Sequence, residues 1–397
     1  MTKIQVRNVY KIFGPHPKKA MDMLAQGKSK AEIMAAIRHG VGVHNASFEV
    51  QEGETVVIMG LSGSGKSTLV RCLNRLITPT AGSVLIDGKD VMTMGERELR
   101  QIRQRKMAMV FQNFALFPHR TVRENTAMGL EIQGIPKAER LSRATEVLAL
   151  VGLETWADAY PRELSGGMQQ RVGLARALAL SPDILLMDEA FSALDPLIRR
   201  DMQDELINMQ NTLRKTIVFI SHDLDEALKL GDRVILMKDG AIVQIGTPEQ
   251  ILTSPATEYV ARFVQDVDVT KVFTAESVMK HSEAVAYLPA DGPRAALRKM
   301  RKHNIAYLFV VDHNQRLVGI VSADAAASLA AQGKDQLSEG ICTDIKTVLP
   351  STPAQELFEI MSDLPYPLAV ADENNKFKGV IVRGTLVAVL AERGGVA

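Results

Sequence analysis

The chain has 397 residues, 46% of them hydrophobic, and exceeds the roughly 250 to 300 residues at which single hydrophobic cores stop growing. We therefore expect two domains. Its 47 basic and 46 acidic residues give a formal net charge of +1, which argues against a nucleic-acid-binding protein, since such proteins carry a marked basic excess. Cys72 and Cys342 match neither a disulfide framework nor a metal-binding spacing, so both are interpreted as packing residues in a reducing compartment.

The N-terminal residues 1–7 alternate as a strand does and contain no apolar segment of signal-peptide length. No uncharged apolar run approaches the roughly 18 residues that a helix needs to cross a bilayer. The sequence thus predicts a chain that is soluble on its own.

Strand-like apolar runs alternate with helical stretches through the first two thirds of the chain. Early strands, which can form an antiparallel flank, are predicted at residues 3–9, 43–50 and 82–86. Further strands are predicted at 55–59, 107–111, 184–187, 216–220 and 233–237, and helices at 140–150 and 168–179. This alternation favours an α/β core with a largely parallel sheet.

A polar, Lys-rich segment interrupts the early strands between Phe13 and Val41. Prolines open it and glycines close it, which predicts a helical insertion over about residues 15–40. Its basic side chains are interpreted as a solvated helical face. The pattern indicates no chemical role for the insertion.

A phosphate-binding loop is predicted where the strand at 55–59 gives way to a helix at 68–76. Its glycines allow successive backbone N–H groups to curl around phosphates, and the helix N-terminus adds partial positive charge. Lys66 is expected to reach the β- and γ-phosphate oxygens, and the Ser67 hydroxyl to coordinate Mg²⁺. The predicted nucleotide-binding residues of this loop are Gly60, Leu61, Ser62, Gly63, Ser64, Gly65, Lys66, Ser67 and Thr68.

Charged residues follow two later strands of the predicted core. Asp188 ends the strand at 184–187, where a carboxylate at the tip of a buried parallel strand can hold Mg²⁺. Glu189 comes next and can orient a water molecule for attack on the γ-phosphate. His222 closes the strand at 216–220, where an imidazole can hydrogen-bond the γ-phosphate.

The segment 164–170, with the sequence Leu-Ser-Gly-Gly-Met-Gln-Gln, precedes a predicted helix. A serine hydroxyl and glycine amides at a helix N-terminus form an anion site, which suits a second clamp on a nucleotide. The expected clamp residues are Ser165, Gly166 and Gly167. One chain carries one lysine-bearing loop and one such clamp.

A repeat with a period of sixty residues follows about residue 268. Pro293, Leu297, Asp312 and Gly319 recur as Pro353, Leu357, Asp372 and Gly379. Each copy predicts a helix, a strand, a polar turn led by Asp and a second strand. Two such units that cannot bury their own apolar faces are expected to pack on each other as a second domain.

Together these motifs resemble the nucleotide-binding subunit of ATP-binding cassette (ABC) transporters over about residues 3–265. Besides the motifs above, the resemblance includes the Gln112 loop and the loop Ser192-Ala193-Leu194-Asp195. It implies an α/β P-loop NTPase domain with an antiparallel β subdomain and a helical subdomain. In this family two chains meet face to face, with ATP clamped between the lysine loop of one and the serine-glycine turn of the other.

The resemblance also implies residue roles. Lys66, Glu189 and His222 would be catalytic, and Ser67, Gln112 and Asp188 would hold Mg²⁺. Gln112, Gln169 and Asp195 would join the nucleotide site, with Asp195 bridging the two subunits. Phe13 would stack on adenine, and the neighbouring Tyr10 is an alternative.

More narrowly, the phosphate loop, residues 188–199, the Lys-rich insertion and the C-terminal repeat resemble the ATPase subunit of glycine betaine/proline importers. The implied organisation is an ABC ATPase domain at 1–267 and a tandem cystathionine-β-synthase-type (CBS) regulatory domain, of α+β class, at 268–397, with repeats at about 275–333 and 338–393. The implied partners are a second copy, membrane permease subunits and, indirectly, a solute-binding protein, at the cytoplasmic face of the membrane, with ATP and Mg²⁺ as cofactors and no nucleic acid.

Three alternatives remain open in the sequence. A soluble ABC-type ATPase of DNA repair or translation would share the ATP-binding motifs, but the sequence argues against it, because such proteins typically have two cassettes in one chain, or long coiled-coil or zinc-binding insertions, and no such pattern is visible. Residues 111–118 are interpreted as a groove for a permease helix, or as ordinary core. Whether the repeat binds an adenosine nucleotide is also open. Nucleotide-binding CBS modules place Asp three positions after Ser or Thr, whereas here Ser322 is followed by Asp324 and Thr385 by Ala388.

Overall fold

A computed structural model describes residues 1–112, 114–192, 194–265, 267, 272–281, 284–384 and 386. The chain divides into two compact units, residues 1–264 and 265–397. No helix of the described chain has both the length and the apolar character that crossing a membrane demands.

The described strands of the first unit are β1 (Thr2–Phe13), β2 (Gly40–Gln51), β3 (Thr55–Met59), β4 (Ala81–Ile86), β5 (Lys89–Asp90), β6 (Met107–Val110), β7 (Ile184–Asp188), β8 (Thr216–Ile220), β9 (Arg233–Lys238) and β10 (Ala241–Gly246). Its described α-helices are α1 (Pro17–Ala25), α2 (Lys30–Ile37), α3 (Lys66–Leu73), α4 (Glu96–Arg105), α5 (Val122–Ile132), α6 (Lys137–Leu150), α7 (Gly166–Ala179), α8 (Pro196–Leu213), α9 (Leu224–Leu230), α10 (Pro248–Thr253) and α11 (Glu258–Val264).

The central sheet has the strand order β10-β9-β3-β8-β7-β6. Strands β9, β3, β8, β7 and β6 are parallel to their neighbours, and only β10 pairs antiparallel, with β9. Every residue of β3, β7 and β8 is buried, as expected for parallel strands covered on both faces. The predicted α/β core is therefore confirmed, and the carboxyl ends of β3, β7 and β8 meet at one edge.

The predicted antiparallel flank is a separate sheet with the order β2-β1-β4-β5. The Lys-rich insertion forms the helices α1 and α2 between its first two strands. Ile33 of α2 is fully buried in a small apolar cluster with Ile12, Ala20 and Val41. The insertion thus packs on the β1–β2 edge through a core of its own.

A helical part of the first unit comprises α5, α6 and α7. The Thr121 hydroxyl accepts from Glu124 N, and the Glu124 side chain accepts from Thr121 N, which closes a capping box at the start of α5. Apolar side chains of the three helices share one cluster, in which Val122, Leu148 and Val172 are fully buried. This part carries the segment 164–170 at the N-terminus of α7.

The second unit contains the described helices α12 (Ala275–Val278), α13 (Pro293–His303), α14 (Ala323–Ala331) and α15 (Ala354–Ser362), and the strands β11 (Val285–Tyr287), β12 (Tyr307–Val311), β13 (Leu317–Ser322), β14 (Thr347–Val348), β15 (Leu368–Ala371) and β16 (Phe377–Ile381). They form two three-stranded sheets, β11-β12-β13 and β14-β15-β16.

The sixty-residue repeat is visible in the strand register. Val310 lies opposite Gly319 in one sheet, and Val370 lies opposite Gly379 in the other. A Cβ atom on Gly319 would lie 2.4 Å from the Cys342 carbonyl oxygen, and one on Gly379 would lie 2.7 Å from the Lys280 carbonyl oxygen. At both positions, therefore, a neighbouring backbone segment lies so close that only glycine fits. Each copy also begins with a short parallel strand that the sequence pattern did not predict.

One prediction about the cysteines was wrong. Cys72 is buried on α3, but Cys342 is exposed in the second unit. The absence of a disulfide or metal spacing does not by itself imply burial, and the segment of Cys342 pairs with Ile320 of β13 while its thiol stays at the surface.

Candidate nucleotide-binding site

The phosphate loop connects the end of β3 to the start of α3 and depends on its glycines. Gly60, Gly63 and Gly65 have φ of +143°, +77° and +101°, a region that other residues rarely adopt. A Cβ on Gly60 would lie 2.2 Å from the Met237 carbonyl oxygen, and one on Gly65 would lie 2.1 Å from the Gly42 carbonyl oxygen. The loop is thus wedged between β9 and β2.

The Lys66 ammonium is held inside this loop. Its Nζ donates to the carbonyl oxygens of Gly60 at 2.7 Å and Leu61 at 3.2 Å. Burial lowers the pKa of Lys66, and the nearby carboxylates of Glu189 and Asp188 act in the opposite direction. The side chain therefore sits as a desolvated cation directed at the loop's own oxygens.

Ser64 supplies a further polar atom. Its hydroxyl is buried and has no hydrogen-bond partner among the described residues. Buried polar groups without partners are rare in folded proteins. Together with the glycine-lined curve of the backbone, this unpaired hydroxyl fits a loop that binds a polar ligand.

Ser67 and Asp188, the two residues expected to hold Mg²⁺ after the phosphate loop and after β7, lie in hydrogen-bonding contact although 121 positions separate them in the sequence. The Ser67 hydroxyl donates to Asp188 Oδ1 at 2.8 Å, and Arg71, one turn further along α3, donates to Asp188 Oδ2 at 2.9 Å. Hydroxyl and carboxylate oxygens are the hard donors that Mg²⁺ prefers. The pair therefore fits a magnesium site, with Arg71 orienting the carboxylate.

Glu189 has a left-handed backbone, with φ of +48°. Such a conformation costs about 1 to 3 kcal/mol and is concentrated at functional sites. The conformation places Glu189 Oε2 3.2 Å from Gln112 Nε2 and 3.6 Å from His222 Nδ1. The three residues predicted to act near the γ-phosphate thus lie together.

Lys66, Ser67, Glu189 and His222 border an open cavity of about 700 Å³, whereas Ser64, Gln112 and Asp188 are not among its lining residues. It is lined by Phe13, Lys30, Gly40, Val41, Gly42, Gly60, Leu61, Ser62, Gly63, Gly65, Lys66, Ser67, Thr68, Glu189 and His222. Its volume lies within the range of small-molecule sites. Eight of the nine predicted phosphate-loop residues and all three predicted catalytic residues therefore line the same cavity as Phe13.

Phe13 and Tyr10 differ in their placement. Phe13 is 46% exposed and lines the cavity. The Lys11 ammonium lies 5.0 Å from the centroid of its ring. The Tyr10 ring packs against His44 at a centroid distance of 5.7 Å and is not among the cavity-lining residues. This geometry favours Phe13 as the aromatic surface of the site.

The segment 164–170 lies outside this cavity. Ser165 caps α7, with its hydroxyl accepting from Met168 N at 3.3 Å. Gly167 faces α8, where a Cβ would lie 2.4 Å from Ile198 Cγ2. None of Ser165, Gly166 and Gly167, all of which the structure describes, lines the cavity that contains Lys66.

Two other predicted residues are engaged within their own loops. Gln169 Nε2 donates to the carbonyl oxygens of Pro161 at 3.0 Å and Leu164 at 3.2 Å. The Asp195 carboxylate caps α8 by accepting from the backbone N–H groups of Leu197 and Ile198. Both contacts fix loop geometry, and Ala193 of the same loop lies outside the described residues.

Arginines that sequence reasoning missed hold the loops in place. Arg199 donates to the Leu194 carbonyl oxygen at 3.1 Å and pairs with Asp223 at 3.4 Å, which links the Asp195 loop to the residue after His222. Arg176 donates to the carbonyl oxygens of Phe114 at 3.1 Å and Ala115 at 2.6 Å, which links α7 to the Gln112 loop. The one signal in the sequence for these contacts is that Arg176 and Arg199 lie a few residues after predicted motifs.

The family model for ABC transporters matches residues 43–192. The glycine betaine transport ATP-binding protein OpuAA of Bacillus subtilis is 56% identical over 98% of this chain and 92% of its own length. The glycine betaine/carnitine transport ATP-binding protein GbuA of Listeria monocytogenes is 53% identical over 98% of both chains.

The chain belongs to the glycine betaine family of ABC transporter ATP-binding subunits. The predicted P-loop fold is also confirmed by a solved relative, the dimeric structure of the bacterial ABC transporter cassette MJ0796, at a TM-score of 0.53 and 34% identity over 62% of this chain and 98% of that one. The family model for CBS domains matches residues 275–329 and 339–392, so the predicted tandem CBS repeat is confirmed. A non-transport ATPase of DNA repair or translation is not favoured by these full-length relatives.

Proposed function

We propose that this subunit hydrolyses ATP to drive a membrane permease that imports glycine betaine and related compatible solutes. One observation carries the mechanism: the cavity contains Lys66, Glu189 and His222, whereas Ser165 and Gly167 of the same chain lie outside it. A complete site therefore takes two chains, with the serine-glycine turn of one closing over the nucleotide of the other. Two such contacts related by a two-fold axis form an isologous interface, in which the lysine loop of each chain meets the serine-glycine turn of the other.

ATP binds with its adenine on Phe13 and its phosphates in the loop of residues 60–67. The backbone N–H groups of the loop and the N-terminus of α3 attract the anionic phosphates. Lys66 exchanges its two carbonyl acceptors for phosphate oxygens, which is favourable because a buried ammonium gains more from an anion than from a neutral carbonyl.

Mg²⁺ would be held by Ser67 and Asp188, with Gln112 as a further oxygen donor, and would neutralise charge on the phosphates as they separate. Asp188 keeps its orientation through Arg71. The Ser67 hydroxyl is already directed at this carboxylate at 2.8 Å. The two oxygen donors therefore start in place.

Hydrolysis begins when Glu189 orients a water molecule against the γ-phosphorus. The water oxygen forms a bond to phosphorus, the bond to the β–γ bridging oxygen breaks, and ADP leaves with that electron pair. Glu189 accepts the water proton, while His222 and Lys66 donate hydrogen bonds to the phosphoryl oxygens. Phosphate is the second product.

The Gln112 loop carries the signal to the permease. Phe117 N donates to Asn125 Oδ1 at 2.7 Å, and Arg176 holds the carbonyl oxygens of residues 114 and 115, so the loop moves with α5 and α7. Phe114 and Phe117 are half-buried and offer apolar surface for a permease helix. Asn113 of the proposed groove lies outside the described residues.

The CBS repeat acts as the regulatory part and makes transport depend on osmotic conditions. Ser322 caps α14 by accepting from Ala325 N at 3.1 Å, so its hydroxyl is engaged in the fold. Thr385 and Ala388 lie outside the described residues. Deletion of residues 275–397 should leave transport and remove its dependence on osmolarity, and unchanged regulation would discard this role.

The decisive experiment is uptake by vesicles that contain the permease, a solute-binding protein and this subunit bound to the face from which ATP is supplied. We expect labelled glycine betaine to accumulate only with ATP and Mg²⁺. The Glu189→Gln subunit should assemble equally well and transport nothing. Accumulation at the wild-type rate with the Glu189→Gln subunit, or none with the wild type, would contradict the proposal.

A further inference from the structure

The Lys-rich insertion places one of its lysines on the phosphate loop. Lys30 Nζ donates to the Gly63 carbonyl oxygen at 2.9 Å, and Lys30 lines the same cavity as Phe13 and Lys66. Gly63 lies midway along the loop. A side chain from the insertion thus contacts the element that binds phosphate, although the sequence pattern gave the insertion no chemical role.

The position of Lys30 is fixed by the fold of the insertion. Ser29 and Glu32 form a capping box around the first turn of α2, which defines where the helix begins. Ile33, three positions after Lys30 and on the same face of the helix, is fully buried in the cluster that joins the insertion to β1 and β2. The helix therefore cannot rotate Lys30 away from the cavity without exposing Ile33.

The charge of Lys30 is uncompensated where it lies. Within the described chain its ammonium forms no ion pair, and its one hydrogen-bond acceptor is the neutral carbonyl of Gly63. A lysine ammonium has three donors, so two remain for another acceptor. Lys28, two residues earlier, is instead paired with Glu32 at 3.4 Å on the exposed side of the insertion.

We propose that Lys30 is a second nucleotide-binding lysine, which contacts the phosphate chain of ATP from the insertion while it holds the loop at Gly63. This inference depends on the proposed placement of ATP in the cavity. It gives the insertion a function: the chain between β1 and β2 extends the nucleotide site beyond the phosphate loop itself.

The test compares binding of fluorescent ATP and ADP analogues to the full-length chain, with adenosine as a competitor that lacks phosphate. Lys30→Gln keeps a donor for the Gly63 carbonyl but removes the charge, and Lys30→Arg keeps the charge. We expect Lys30→Gln to weaken ATP binding by about five- to tenfold and to reduce its salt dependence, because a charge-assisted contact in a partly exposed site is lost. Lys30→Arg and the control Lys28→Gln should remain within about twofold of the wild type.

Unchanged ATP affinity in Lys30→Gln would overturn the proposal. Equal weakening of ATP, ADP and adenosine binding would also overturn it, because the role would then be confined to the shape of the loop. Lys66→Ala serves as the benchmark for the site. If Lys66→Ala bound ATP like the wild type, the placement of the nucleotide itself would be wrong, which is a separate failure.

Discussion

The Arg71 guanidinium lies 2.9 Å from Asp188 Oδ2 and is the ion-pair partner of a carboxylate that is almost fully buried. Removal of one partner from a buried pair leaves an uncompensated charge. Because Arg71 itself is partly exposed, we expect Arg71→Met to lower the free energy of unfolding of the first unit by about 1 to 2 kcal/mol. Arg97→Met, on the exposed face of α4, is the control and should be neutral.

Urea unfolding in a double-mutant cycle measures this coupling. Asp188→Asn should cost less in the Arg71→Met background than in the wild type, because its partner is already gone. Strictly additive effects of the two substitutions would show that the contact contributes no stability.

Glu189→Gln should bind ATP and form dimers while its hydrolysis falls by at least about a hundredfold, since an amide cannot accept the water proton. Phosphate release and size-exclusion chromatography with ATP check the two halves of this prediction. Glu146→Gln on α6, at a residue that does not line the cavity, should retain full activity. Hydrolysis by Glu189→Gln at a tenth of the wild-type rate or more would remove Glu189 from its role.

Two glycines of the phosphate loop should respond differently to an added methyl group. At Gly65 a Cβ would lie 2.1 Å from the Gly42 carbonyl oxygen, whereas at Gly63 a Cβ meets nothing within 4 Å. Gly65→Ala should therefore destabilise the first unit by about 2 to 4 kcal/mol and abolish ATP binding. Gly63→Ala should cost only the strain of its positive φ, about 1 kcal/mol. Equal melting temperatures for the two variants would contradict the packing of the loop against β2.

The two cysteines should react very differently with a thiol reagent. Burial raises the pKa of the Cys72 thiol from 9.0 to about 12, whereas Cys342 is exposed. At pH 8 the native chain should therefore release one equivalent of chromophore from Ellman's reagent, and two after denaturation. Cys342→Ser should leave no native thiol reactive, and rapid reaction of that variant would show that Cys72 is accessible.

The raised pKa of Cys72 also makes the stability of the folded chain depend on pH. Cys72 is neutral in the folded chain, while in the unfolded chain it ionises above pH 9, so its contribution to stability is complete below pH 9 and is lost between pH 9 and about 12. Cys72→Ala should flatten the fall in melting temperature over this alkaline range. A fall as steep as that of the wild type would place its cause elsewhere.

The sequence was sufficient to predict a feature where its motif requires a particular backbone conformation or places a residue at the end of a strand. Positive φ at Gly60 and Gly65, and the approach of Ser67 to Asp188, follow from a glycine pattern and from strands whose ends share an edge. The strand register of the CBS repeat follows from its sixty-residue period. These features depend on local chemistry or on periodicity, which a single sequence displays.

Contacts made by long side chains between distant loops were not predictable. Lys30 reaches Gly63 only because the insertion folds against β1 and β2, and Arg199 reaches the Leu194 carbonyl only because α8 begins where it does. The error at Cys342 has the same origin, since its exposure depends on how its segment pairs with β13. Such contacts are set by tertiary packing and leave no period in the sequence.

The central claim is that ATP is clamped by Lys66 of one chain and by the serine-glycine turn of its partner. The most direct measurement mixes two inactive variants, Lys66→Ala and Ser165→Glu, and follows ATP hydrolysis as hybrid dimers form. A hybrid contains one site in which both Lys66 and Ser165 are intact, because the two substitutions fall together in the other site. We predict that the mixture regains hydrolysis that neither variant shows alone. A mixture that forms hybrid dimers and stays inactive would contradict the shared site.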